Sequence, residues 1–422
     1  MLHFENESVR KHLLEGYFGL EKESLRVLEN GRFSHAPHPF QEDRHIVKDF
    51  CENQTEINTS VHNSVKEAVE ELEFHTRRIY EKLRQLPKKE YLWPFSNPPY
   101  IESEKDIPVA VFEGNKVSKT WYREYLSDKY GRYKMTFSGI HVNFSFGKEL
   151  LKADFELAGE TDYREYKNRL YLHLAEGLAA CGWILVAVTA ASPVMDSSFV
   201  EKGLYGRDIF TGMASVRCSE LGYWNEFSPI FDYGSIEKYV DSIQRYVDDG
   251  LLKAPSELYY PVRLKPEGEN QLEALRTCGV NHIELRMFDL NPLKKAGVEE
   301  KDILFVQLFM IWLLSMPEWH LTQQEQVQAV QNFKNAARYD LKTVRILAED
   351  GKKDSVAGAA LGMIKRMKEF YRGLDFSVED VLEFEYRKFA EPESRYAWQV
   401  RKKYREHYVR KGLELAKERQ GE

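Results

Sequence analysis

Buried strands normally carry apolar side chains, yet three strand-like stretches of this chain place charged or polar groups two residues apart, and a fourth holds two acids seven apart. The set is Glu21 and Glu23 in GLEKESLRV, Asp49 and Glu56 in KDFCENQTEINTS, His141 and Asn143 in SGIHVNFSF, and Glu284 and Arg286 in NHIELRMFDLNP. Alternate side chains of a strand point to one face, so each spacing-two pair is presented together. Clustered carboxylates repel one another and lose hydration on burial, so such a face is tolerated only where cations neutralise it. Several acidic oxygens with one imidazole and one guanidinium suit hard divalent metals holding phosphates, which points to ATP chemistry.

Each pair alone has a plain structural reading. Glu21 and Glu23 could form a solvated strand face, His141 a satisfied core histidine, and Glu284 with Arg286 a set of cross-strand charge pairs. The flanking sequence argues for burial. His141 alternates with Ile140, Val142, Phe144 and Phe146, and Glu284 and Arg286 alternate with Ile283, Leu285 and Met287. The joint occurrence of all four stretches favours a common site.

With 422 residues and 43% hydrophobic content the chain can bury one large core or two moderate ones. A net charge of −7 argues against a nucleic-acid partner, which is bound through a basic excess. Cys51, Cys181, Cys218 and Cys278 are scattered, without CxxC or zinc spacing. A reducing cytoplasm is the expected setting. The start of the chain, MLHFENESVRKHLLEG, lacks the apolar core of a secretory signal, so no export is expected. The stretch Leu174–Met195 resembles a membrane span in hydropathy, but Glu176 inside it and Ser192 and Pro193 near its end fit a long buried core helix, and no membrane association is expected.

Helical spacing of Val65, Ala68, Val69, Leu72 and Ile79 predicts a helix from about 61 to 86, closed by Pro87. Three prolines make LWPFSNPPYI an irregular aromatic loop, and a charged helix bearing Trp121, Tyr122 and Arg123 leads to the His141 strand. Further elements are a helix near 236–247, a strand in SELYYPVRLKP, and helices from Lys301 onward, beginning with the all-round apolar DILFVQLFMIWLLSM. The run from about Tyr386 to Glu422 reads as a solvated helical face. Strands mixed with long helices, without βαβ alternation, predict an α+β fold with an antiparallel sheet. The chain, 1–422, reads as a single catalytic domain that is mainly helical from about 299. Neither GxxxxGK[ST] nor a GxGxxG after a strand is present, so the acidic sheet face is the candidate for holding triphosphate.

In order along the chain, GLEKESLRV, the KDF with Glu56 seven residues beyond Asp49, LWPFSNPPYI, TWYRE, SGIHVNFSF, ASPVMDSSF, SVRCSELGY, ELYYPVR and HIELRMFDLNP resemble the glutamate–cysteine ligases of the bacterial type. That family includes the amino-terminal module of the fused bifunctional glutathione synthetases. The resemblance runs from about 17 to about 315. It implies a glutamine-synthetase-like curved antiparallel sheet forming an active-site funnel, surrounded by long helices. The implied activity joins the γ-carboxylate of L-glutamate to the amine of L-cysteine through a γ-glutamyl phosphate, with ATP as co-substrate and Mg²⁺, more than one ion, as cofactor, Mn²⁺ being an alternative. This is the first step of glutathione biosynthesis.

Carried over motif by motif, the resemblance implies that Glu21, Glu23, Asp49, Glu56, His141 and Glu284 form the metal shell. Arg286, with Glu284, is the implied catalytic residue, its planar fork suited to charge on the transferred phosphoryl. Phe50, Tyr122, Arg123, Arg217, Tyr223 and Tyr259 match the substrate pocket, arginines clamping α-carboxylates and aromatics shaping a slot for the cysteine side chain. The chain is shorter than stand-alone members and has no ATP-grasp extension, so the second step of glutathione synthesis is expected to lie outside it. The nearest alternative is a ligase of the same fold that joins glutamate to a different amine, since acceptor choice rests on a few pocket contacts. The sequence leaves oligomeric state open.

Overall fold

The computed structural model describes residues 2–202, 206–348 and 351–421. Its strands include β1 (Gly16–Leu28), β2 (Ile46–Lys48), β3 (Gln54–Asn58), β4 (Glu90–Leu92), β5 (Gly139–Phe146), β6 (Met195–Asp196), β7 (Asp208–Ile209), β8 (Val262–Lys265) and β9 (His282–Asp289). Seven of them form one sheet in the order β2-β3-β1-β5-β9-β8, with β4 paired to the end of β1, and every pairing is antiparallel. The α+β expectation with an antiparallel sheet holds.

Strand alternation sorts the faces. Phe18 and Leu20 of β1, Ile57 of β3, Ile140, Val142 and Phe144 of β5, and Ile283 and Leu285 of β9 all enter one hydrophobic core. The helices that cover this core include Val65–Arg84, capped at its start by Ser64, and Glu300–Ser315, buried nearly all round as its composition requires. The opposite face of β1 carries Glu21 and Glu23 and then continues to Leu25 and Val27, which belong to a second, aromatic core with Trp93, Phe95, Tyr404 and Tyr408. The acidic groups therefore end against a packed aromatic wall.

Two helical expectations are corrected. The apolar stretch expected as one long helix to about Ser192 is two helices, Tyr163–Cys181 and Trp183–Thr189, bent by 61°. The break falls at Gly182, where a Cβ would lie 2.4 Å from the Leu178 carbonyl oxygen and 3.0 Å from the Phe333 ring. Both helices are buried in the core, and among the described residues no single helix is long and apolar enough to cross a bilayer. The carboxy-terminal run is also not simply a solvated face: Tyr396, Tyr404 and Tyr408 are buried, and the Tyr408 hydroxyl donates to the Asn97 carbonyl at 2.7 Å. Most of its charges face out, though Lys388 and Arg395 are buried, while Tyr404 and Tyr408 close the second core. A short antiparallel ribbon, Arg345–Leu347 with Lys353–Ser355, also interrupts the helical region.

Arg26, on β1, is fully buried and pairs with equally buried Glu90 at 2.6 Å, while its Nη2 donates to the carbonyls of Ala36 and Glu52. Ser34 donates to the second Glu90 oxygen at 2.6 Å. The pair anchors the loop that holds Ser34 and Ala36 to the sheet. Glu90→Ala strands a buried guanidinium, so a loss of about 3–5 kcal/mol is expected from urea unfolding. A loss under about 1 kcal/mol, the range of exposed pairs, contradicts this role.

Candidate active site

Antiparallel register brings the acidic residues face to face. Glu21 lies opposite His141 across β1 and β5, Glu23 opposite Glu56 across β1 and β3, and Asn143 opposite Glu284 across β5 and β9. Directly paired residues share a sheet face. Asp49 arrives differently from the expected single strand: residues 49–53 form the turn of a hairpin between β2 and β3. Val47 pairs with Glu56, so Asp49, two residues beyond Val47, projects to the Glu56 side. A seven-residue spacing on one strand would have put these two acids on opposite faces. The register between β5 and β9 also slips between Ile140 and Val142, adding one residue to β9 beside Arg286. Such a bulge re-aims side chains, and here Arg286 stays on the site face with Glu284 while Phe288, which unbroken alternation would also place there, turns to the core.

His141 Nδ1 lies 2.8 Å from Glu21 Oε2 and 3.6 Å from Glu284 Oε1, and its Nε2 lies 3.8 Å from Glu23 Oε1. Asn143 donates to the other Glu21 oxygen at 2.9 Å, and the Gly139 amide donates to Glu23 Oε2 at 2.9 Å. Glu284 accepts from Arg286 Nη1 at 3.0 Å, with Lys265 Nζ 3.1 Å from its Oε2. That ammonium is close enough for charge pairing but lacks hydrogen-bond geometry, so Glu284 Oε2, like His141 Nε2, is buried without a hydrogen bond.

The electrostatics split the acids into two groups. Burial raises the Glu56 carboxyl well above the usual range, and Asp49, Glu21 and Glu23 raise it further. Glu23 is also raised, first by burial. Burial works the same way on Glu284, but the charges of Arg286, Lys265, His141 and Arg263 hold it well below the usual range. Glu21 is held low by its bond to His141 against the same burial. Ligand atoms of Glu21, His141 and Glu284 lie within 4.8 Å of one another. Orphaned acceptor atoms, facing acids and mainly oxygen donors fit divalent cations such as Mg²⁺. The imidazole among them is the softer partner.

Across the site stand the helix Val117–Tyr130 and two loops. Arg123 donates to the Asp49 carbonyl at 2.7 Å and covers the Phe112 ring at 4.6 Å. Arg217 Nη1 donates to the Arg286 carbonyl at 2.7 Å. Its guanidinium occupies the space a Cβ on Gly139 would take, 2.5 Å away, so β5 needs glycine there. Rings of Tyr223 and Tyr259 meet at 4.0 Å between centroids.

All thirteen residues singled out from sequence, Glu21, Glu23, Asp49, Phe50, Glu56, Tyr122, Arg123, His141, Arg217, Tyr223, Tyr259, Glu284 and Arg286, line one cavity of about 310 Å³. Arg263, Lys265, Lys134 and Asn270 line it too and were missed. Arg263 and Lys265 carried the same spacing-two signal, in VRLK, and Arg263 pairs directly with Glu284. Burial and the Arg286 charge bring Arg263 down to about 10.

A larger cavity of about 940 Å³, between helix Tyr163–Cys181 and residues 318–326, contains none of these groups. Chemistry rather than size selects the site. A second cluster, His45, Glu71 and His75, also has clustered ligand atoms. There, Arg44 and Arg78 face the outer imidazole nitrogens at 2.8 and 3.0 Å. A metal-bound imidazole donates its other N–H to an acceptor, so arginines in that position mark a hydrogen-bonded hub instead.

The sheet, its acidic face and the helices behind it have the fold of a solved glutamate–cysteine ligase from Francisella tularensis in complex with AMP, with a TM-score of 0.87 at 22% identity over 96% of this chain and 88% of that one. A bifunctional glutathione synthetase from Pasteurella multocida superposes with a TM-score of 0.85 at 26% identity, covering 99% of this chain and 54% of that one. In sequence, the glutamate–cysteine ligase family pattern matches residues 1–251 and 229–336. The chain belongs to the glutamate–cysteine ligase family. The bifunctional glutathione biosynthesis protein of Listeria innocua is 35% identical over 98% of this chain and 55% of its own length, and that of Streptococcus mutans 37% identical over 71% and 39%. The chain thus spans about half the length of the curated relatives it matches.

Proposed function

We propose that this chain joins the γ-carboxylate of L-glutamate to the amine of L-cysteine with ATP, giving γ-glutamylcysteine. The observation that carries this reading is the convergence of five carboxylates, His141 and Arg286 on one sheet face of a glutamate–cysteine ligase family member. The AMP bound to the Francisella tularensis relative supports a nucleotide at the same fold.

Glu21, Glu23, Asp49, Glu56, His141 and Glu284 would hold Mg²⁺. Bound there, Mg²⁺ neutralises and aligns the triphosphate and the attacking carboxylate. The γ-carboxylate oxygen attacks the γ-phosphorus, ADP leaves, and the amine then attacks the acyl carbon and expels phosphate. Arg286 offers its free guanidinium edge to the transferred phosphoryl group, where two parallel N–H donors match two oxygens. Arg123 and Arg217, each anchored by a backbone carbonyl, clamp α-carboxylates. Tyr122, Tyr223, Tyr259 and Phe50 form the slot for the acceptor side chain and keep water from the acyl phosphate.

Glu56 and Glu23 have folded-state values above those of the unfolded chain. In that window the folded, ion-free protein binds more protons than the unfolded one, so its stability falls as pH rises above the ordinary glutamate value of about 4.3. Glu21 and Glu284, held low, are ionised in both states there and add no slope. Adding Mg²⁺ is therefore expected to release protons and to raise Tm more at higher pH. Calorimetry in buffers of different ionisation heat measures the release. Binding without proton release contradicts this assignment of Glu56.

The function itself is tested by phosphate release from ATP and Mg²⁺ with L-glutamate and a candidate amine. Cysteine-dependent turnover with a γ-linked dipeptide product is expected. Turnover with another amine and none with cysteine selects the alternative acceptor.

A further inference from the structure

Behind the aromatic slot, outside the cavity lining, lies one fully buried carboxylate, Glu257, in the turn Pro255–Glu257. Its Oε1 accepts from Lys129 Nζ at 2.6 Å, from the Tyr130 hydroxyl at 2.7 Å and from the Tyr125 hydroxyl at 3.4 Å. Its Oε2 accepts from the Lys253 amide at 2.6 Å. Asn225 completes the assembly. Its side-chain amide donates to the Glu257 carbonyl at 2.9 Å and to the Tyr130 hydroxyl at 3.2 Å, and its oxygen accepts the Tyr259 amide at 2.7 Å.

These bonds join three separate pieces of chain: the helix carrying Tyr122 and Arg123, the loop carrying Tyr223, and the segment carrying Tyr259. Tyr130 packs edge-on against Tyr259 at 5.2 Å, and Tyr259 against Tyr223 at 4.0 Å. Ser256, next to Glu257, donates to the Tyr122 hydroxyl at 3.1 Å. Tyr122 and Tyr259 are thus two linkages from Glu257 and Tyr223 three, whereas the sheet carboxylates have no direct bond to it. Glu257 is buried while Lys129 stays partly exposed, and the desolvation of the carboxylate offsets much of the attraction between them. The value of the pair lies in fixing geometry.

We infer that Glu257, with Asn225, is the positioning residue that sets the width of the acceptor slot and so selects the side chain of the incoming amine. The inference rests on the ligase reading above. The substitution Glu257→Gln replaces one acceptor oxygen by an NH₂ group. If that group faces the Lys253 amide, two donors meet; if it faces Lys129 and Tyr130, the bonds on that side fail. The second orientation loosens the Tyr259 segment from the helix and the first disturbs the turn that holds it, while the metal face is untouched. Tyr130→Phe removes one hydroxyl and leaves the Lys129–Glu257 pair in place, so it serves where the first variant folds poorly.

Steady-state kinetics with glutamate, ATP and a series of small amines, including L-cysteine, L-serine and L-2-aminobutyrate, test this. For Glu257→Gln an acceptor KM raised about tenfold or more is expected, with discrimination among the amines flattened. The KM values for ATP and glutamate are expected to stay within about twofold. Tyr130→Phe is expected to shift the acceptor KM in the same direction by about threefold. An unchanged acceptor KM in both variants, or equal rises for all three substrates, overturns the inference and leaves the ligase reading standing. A wild-type protein that uses no amine overturns the ligase reading and this inference together.

Discussion

Glu284→Gln is expected to lower kcat/KM by about a thousandfold or more while the protein stays folded. The residue sits where three strands meet: β9 carries it, β5 places Asn143 opposite, and β8 places Arg263 opposite. Burial alone would favour a neutral acid, yet the surrounding cations keep Glu284 an anion. Glutamine matches its shape but carries no charge, so the proposed metal shell loses a ligand oxygen and Arg286 and Lys265 lose their common counter-charge. Circular dichroism checks the fold and phosphate release checks the rate. A rate near that of the wild type removes Glu284 from the metal shell.

Arg286→Lys is expected to cost about a hundredfold in kcat, with the KM for ATP little altered. Burial opposes the charge on Arg286, but Glu284, Glu21 and Glu23 hold its guanidinium firmly protonated. One edge of the fork is spent on Glu284 Oε1, and the other is the one proposed to meet the transferred phosphoryl. A lysine ammonium keeps the charge but cannot present two parallel donors while holding Glu284. Full retention of kcat means that planar geometry plays no part.

The spacing-two pairs on β1, β5 and β9 were legible because strand alternation is a local rule: it needs no knowledge of what the strand packs against. Glu21 with Glu23, His141 with Asn143 and Glu284 with Arg286 therefore emerge from sequence on the correct face. Asp49 with Glu56 did not, because their convergence depends on a turn that reverses the chain between them. The β9 bulge leaves only the adjacent apolar Met287 and Phe288 as a trace in HIELRMFDLNP, and that pair does not say against which strand the extra residue falls.

Arg263 and Lys265 sit on a strand of four residues, too short for alternation alone to assign a face, and it is the pairing of β8 with β9 that sets Arg263 opposite Glu284. The break at Gly182 lies inside an unbroken apolar run, and it depends on the close approach of the Leu178 carbonyl and the distant Phe333. The charges of the last helices masked Tyr404 and Tyr408, whose burial depends on the distant Trp93 and Phe95. Glu257 carries no local signal at all, since its four donors come from elsewhere in the chain and from the backbone.

The most direct test follows the oxygen. With L-glutamate labelled by ¹⁸O in its γ-carboxylate, and with ATP, Mg²⁺ and L-cysteine present, each turnover is expected to deliver one labelled oxygen to inorganic phosphate, and Glu284→Gln should suppress label transfer and turnover together. Turnover that leaves the released phosphate unlabelled contradicts attack of the carboxylate on the nucleotide held by this acidic face.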